Sequence, residues 1–308
     1  MRYTVSTDMH DRLVELAELL RACREAFLRI SHDHHWKPAE TSLAAADLAA
    51  FNKVSDIRDD GIVLETVAAY LELAAGNCGG LAGLYETDEV LTSPPQLARS
   101  ILEDCARACW LLGSNPASQP ALDRLARTYI DHDLSAVDKK TTAQRLAGKT
   151  SPGYLAAKRE FNELRAEIQA VFPSTVGTDF NRPAILNGQR CLGLTDTAKW
   201  FFALLHDNGA ATVDSQAGEG IYIRLCNQTH PTISAIRERR RFIAHGEHFG
   251  TKLVVTQAEI ETLTRLAVSC IYNTLAWVHQ YCGWDFDPDH EFENRIDATT
   301  PGLFSSVD

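Results

Sequence analysis

No apolar stretch in these 308 residues approaches the roughly 18 that a membrane-crossing helix needs, so no membrane partner is expected. The opening Met1-Arg2-Tyr3-Thr4-Val5 has no apolar core of the kind a secretion signal carries, which makes a cytoplasmic location the expectation. Eight cysteines are present, but none forms a Cys-x-x-Cys pair, and that removes a zinc ribbon. Most lie inside apolar helical patterns, where a reduced cysteine packs as a small hydrophobe. Gly76, Gly79, Gly80 and Gly83 lack both a preceding strand and a Gly-Lys-Ser/Thr ending, so they make no phosphate loop. The Glu-x-x-His repeats of di-iron bundles are missing. Asp285, Asp287 and Asp289 alternate without the glycine and glutamate that complete a calcium loop. His32-Asp33-His34-His35 is the one imidazole cluster, but no second ligand set accompanies it, and histidines at a helix end often meet the last carbonyls. Neither a metal nor a cofactor is expected. Positive charge is also scarce: 30 Lys and Arg against 41 Asp and Glu leave a formal net charge of −11. Broad, non-specific nucleic-acid binding is thereby disfavoured, and any polyanion must use a local basic patch.

What is present is helical periodicity. Leu13, Leu16, Leu19, Leu20, Cys23, Phe27 and Leu28 repeat at helical spacing behind the capping candidates Ser6, Thr7 and Asp8. A short Ala-rich helix is predicted over 41–51. Residues 62–75 are apolar nearly all round and predict a central buried helix, with the glycines after it giving a kink or a close helix contact. Ser93-Pro94-Pro95 restarts the chain into a helix with Leu97, Ile101, Cys105, Ala108 and Leu112 inward. On its side, Arg99, Glu103 and Arg107 predict a surface salt-bridge ladder. Residues 122–134 predict another helix, followed by a polar connection or short helix holding Lys139, Lys140 and Arg145. Ser151-Pro152 opens a helix to Phe172. Thr256-Gln257-Ala258-Glu259 is a capping box opening a helix to Tyr281. The expected fold is all-α: an N-terminal helical bundle over 1–172, an irregular connection over 173–193, a helical part over 194–283 and an acidic tail over 284–308. Asn181, Arg182 and Arg190 are the polar residues of that connection able to meet a phosphate.

The densest cationic stretch is Arg237-Glu238-Arg239-Arg240-Arg241, followed by Phe242-Ile243-Ala244-His245-Gly246. Pro231 suits a first helical position and Gly246 a helix stop. Ile233, Ile236, Arg240 and Ile243 then predict one buried stripe, on which Arg240 is the odd member because a buried guanidinium needs a partner or a wet cleft. Arg followed at short spacing by His recurs at Arg29/His34, Arg29/His35, Arg127/His132, Arg224/His230 and Arg241/His248, and Arg239/His245 is a second register here. Context sets Arg240/His245 apart: an apolar stripe, a glycine, then another strong helix.

Arg240-Arg241-Phe242-Ile243-Ala244-His245-Gly246 resembles the motif of the HEPN superfamily, matching at the Arg, the Ile-Ala, the His and the Gly, over roughly residues 218–283. It departs at the second position, where Arg241 stands for the usual polar residue. The resemblance implies a helical, HEPN-like C-terminal part and a metal-independent endoribonuclease, of the toxin or phage-defence kind. It implies Arg240 and His245 as catalytic residues and a homodimer that faces two motifs across one cleft. Arg239, Arg241 and His248 would be supporting phosphate contacts to an RNA substrate. An imidazole titrates near neutrality and serves as acid or base, while a guanidinium holds phosphate oxygens through parallel hydrogen bonds. Two other readings stay open. Arg240 pairs with a buried carboxylate of Glu65, Glu72 or Glu103 in a non-catalytic interaction or regulatory module. Or the chain is a helical subunit whose 173–193 stretch meets a protein partner.

Overall fold

A computed structural model describes residues 6–54, 61–177, 184–230, 232–245, 248–287 and 290–303. Among them the architecture is an all-α multi-helix bundle with two small two-stranded pairs. Helix α1 (Thr7–Arg29) starts where Ser6 Oγ accepts the Met9 amide, and buries Leu13, Leu16, Leu20 and Cys23. Its last turn widens into a π-helical turn at Ile30–His34. Helix α2 (Leu43–Phe51) is capped by Ser42. Helix α3 (Ile62–Glu86) runs on through its glycines without stopping. At Gly79 the reason is visible: a Cβ there would lie 3.0 Å from Arg24 Nη1, so the glycine admits the arginine of α1.

Helix α4 (Pro94–Leu112) is the centre of the molecule, and every residue from Cys105 to Leu112 is buried. It packs against α3, against α10 (Gln257–Cys282), and against α7 (Leu194–Asp207) and α8 (Ser215–Thr229). Helix α5 (Ala121–Ala147) is longer than its apolar pattern predicts, and it pairs with α6 (Pro152–Val171). The polar half of α5 is held by that neighbour: Lys139 Nζ meets Glu160 at 2.5 Å and Lys140 lies over the Phe161 ring. The connection after α6 holds the hairpin β1 (Ile185–Leu186) and β2 (Gln189–Arg190), turned by Asn187 and Gly188 at φ 48° and 75°. Asn-Gly with both residues left-handed is the preferred two-residue hairpin turn. Asn181 and Arg182 lie outside the described residues.

The capping box of α10 is present on both sides: Glu259 N donates to Thr256 Oγ1, and Thr256 N donates to Glu259 Oε2. The acidic tail folds as α11 (Glu291–Thr299) and docks on α1 through Phe292 and Ile296. A buried ion pair ties three helices together. Asp47 of α2 takes both Arg124 Nε and Nη2 of α5, and Tyr281 of α10 donates to the same carboxylate at 2.7 Å. All eight cysteines are free thiols. Burial pushes the Cys109 thiol up to about 12, which keeps it neutral and unreactive. No helix among the described residues is long and apolar enough to cross a membrane.

Candidate nucleic-acid interface

The cationic stretch departs from its sequence expectation. Helix α9 spans only Ile233–Glu238, and Arg240–His245 is a strand, β3, paired antiparallel with β4 (His248–Leu253). Pro231 and Gly246, expected as helix start and stop, are outside the described residues. The expected buried stripe does not form: Ile233 is 64% and Ile236 37% exposed, and Arg240 is exposed on the strand. The physical reason is tertiary. A short helix holds when an apolar face is buried, and α9 has no core face to bury. Phe242, Ile243, Phe249 and Thr251 are strand-formers, and a six-residue ladder satisfies backbone groups that an exposed helix end would leave to water.

The register sets the geometry. Arg240 lies opposite Leu253, Arg241 opposite Lys252, Ile243 opposite Gly250, and His245 opposite His248. Strand residues alternate between faces, so the neighbours Arg240 and Arg241 fall on opposite faces. Arg241 and Lys252 share one face at the base, and the backbones of His245 and His248 pair at the far end of the ladder, about 13 Å along the strand. Arg240, Arg241 and Lys252 are exposed and make no hydrogen bond or ion pair with a described residue. The partnered-Arg240 reading is not met: Glu103 instead accepts from Arg99 Nε at 2.8 Å and from Tyr222 at 2.6 Å.

Arg239 fixes the base of the hairpin. It caps α9, its carbonyl accepts the Val254 amide at 2.8 Å, and its Nη1 donates to the Leu91 carbonyl at 2.8 Å. Its Nε is buried and unpaired. The structure thus brings Arg239, Arg240, Arg241 and Lys252 to one end of a hairpin and His245 beside His248 at the other.

Two polar clusters were hidden in the helical periodicity. Arg107, read as the end of a surface ladder, is only 8% exposed; it stacks over Trp110 and faces Asp131 at 3.5 Å. Tyr70 donates to the same Asp131 at 2.7 Å, and Thr66 and His132 are 2.8 Å apart beside it. Nearby, burial pushes the Asp104 carboxyl up to about 7, against a single Asn77 donor that works the other way. The only advance signal was an acid at an otherwise inward helical position. In the histidine cluster, His32 meets Asp33 at 2.6 Å and His34 stacks on Trp284. No group of three or more His, Cys, Asp or Glu suited to a metal occurs among the described residues. No known protein family, curated protein or solved structure is matched by this chain.

Proposed function

We propose that the protein is a metal-independent endoribonuclease, HEPN-like in its motif, that grips RNA with the β3–β4 hairpin. One observation carries this reading. Arg241 and Lys252 are held directly opposite one another, exposed, with no ion-pair partner among the described residues. Like charges opposed across a ladder destabilise it, and a phosphate between them turns that repulsion into attraction. Arg240 adds a third cation at the same end. In a chain of net charge −11, such a patch favours one short polyanion contact over general nucleic-acid affinity.

The chemistry needs a base for the RNA 2′-hydroxyl, an acid for the leaving 5′-oxygen, and positive charge at the phosphorus. The 2′-oxygen bonds to phosphorus as its proton passes to the base. The bond to the 5′-oxygen then breaks as the acid protonates that oxygen, leaving a cyclic phosphate. In this reading His245 serves as acid or base and Arg240 holds the reacting phosphate at a site completed by a second copy, while Arg239, Arg241, Lys252 and His248 contact the RNA beside it. A homodimer would set two such hairpins across one cleft. The biological setting of this chemistry would be toxin or phage-defence action in the cytoplasm.

A second reading keeps the chain as a non-catalytic interaction or regulatory module. The strand conformation of Arg240–His245, where the HEPN motif belongs at a helix end, favours it. Labelled single-stranded RNA in EDTA separates the two. The nuclease reading expects cleavage to a cyclic-phosphate end, lost by at least tenfold in His245→Ala and in Arg240→Ala with the melting temperature unchanged. Cleavage at the parental rate in both variants removes the nuclease, and RNA binding without any cleavage leaves the module.

A further inference from the structure

A cavity of about 430 Å³ lies between α7, α8 and α10, beside the base of the β3–β4 hairpin. Its walls are Phe202, Leu205, Ile221, Leu225, Leu263 and Leu266. Its volume falls within the range of small-molecule sites. Its polar lining is unbalanced. Arg224, Arg239 and Arg265 reach it, and Glu259 is the one carboxylate there. Glu259 is already committed to the α10 capping box. Glu261, the next acid along α10, is held by Arg12 at 2.7 Å.

The three guanidiniums keep donors to offer. Arg224 is exposed and makes no ion pair with a described residue. Arg265 gives one nitrogen to the Pro301 carbonyl at 3.1 Å. Arg239 gives Nη1 to Leu91, while its Nε is buried without a partner, a costly state that an incoming acceptor would relieve. Apolar walls together with cationic donors in one lining point to an amphiphile with an acidic head.

We infer that this cavity binds one single-chain amphiphilic carboxylate, its tail among Phe202, Leu225 and Leu266 and its head on Arg239, with Arg224 and Arg265 alongside. The volume suits one acyl chain, not the paired chains of a phospholipid. Because the Arg239 carbonyl also holds Val254, the head group would sit at the root of the hairpin. The site does not depend on RNA cleavage, and its test reads binding alone.

The test is calorimetric titration of the full chain with dodecanoate below its micelle concentration. Dodecanol, acetate and vesicles of anionic phospholipid serve as the other arms. The expected result is saturable one-to-one binding of dodecanoate and none of acetate. Dodecanol and the Arg239→Gln protein should each bind about tenfold or more weakly, the loss of a charge-assisted contact. Leu266→Trp, which fills the cavity, should abolish binding; Ser269→Trp, on another part of the wall, repeats this if the first variant misfolds. Equal affinity for dodecanol and dodecanoate, binding that survives both filling variants, or association with vesicles alone would overturn the inference.

Discussion

Single residues in this molecule are set by whether their charge finds a counterpart. Asp47 is 3% and Arg124 2% exposed, and together with Tyr281 they satisfy one another, so a pair that would be costly alone can sit inside the bundle. Asp47 sits in an Ala-rich segment whose sequence gives no sign of its partner 77 positions away, which is why the pair was not legible beforehand. Asp104 is the opposite case. Burial raises its carboxyl to about 7, with the Asn77 amide donating to it at 3.2 Å and working the other way. For an acid raised in this way, the folded state keeps its proton between about pH 4 and 7 where the unfolded chain has lost it. The resulting stability is present at low pH and disappears as pH rises through 7. Asp104→Asn should therefore melt higher than the parent at pH 8, with the difference shrinking toward pH 5. Thermal melts at the two pH values check this, and a constant difference would remove the assignment.

At the scale of elements, periodicity coupled to a buried face was readable, and periodicity without one was not. The inward positions Ile101, Cys105, Ala108 and Leu112 of α4 are buried as their spacing predicts. The capping box at Thr256 and Glu259 forms as its residues predict. Thr256→Ala should cost about 1 kcal/mol, the usual worth of a lost helix cap, measured by urea unfolding with an unchanged m value. The predicted helix stops at Glu238 because Ile233 and Ile236 have helical spacing but stay exposed, and from Arg240 onward the chain pairs with β4 instead. The polar half of α5 was missed for the converse reason: Lys139 and Lys140 are held by Glu160 and Phe161 of α6, contacts invisible to an apolar pattern. Of the candidate site residues, the sequence marked the cationic cluster, but the opposition of Arg241 to Lys252 depends on a strand register that helical spacing could not suggest.

Across the whole molecule, one buried apolar cluster runs from α1 through α3 and α4 to α10, with α7 and α8 packed on it. The hairpin projects from this frame, joined through Arg239 to the α3–α4 connection at Leu91. A chain of net charge −11 carrying Arg240, Arg241 and Lys252 exposed at one end of a hairpin is the arrangement on which the RNA reading rests. The most direct measurement is the salt dependence of affinity for a short single-stranded RNA. Three phosphate contacts, by Arg240, Arg241 and Lys252, predict a slope of log affinity against log salt of about −2, falling to about −0.7 in Arg241→Gln/Lys252→Gln. The same slope in the double variant, or no RNA binding by the parent, would contradict the account.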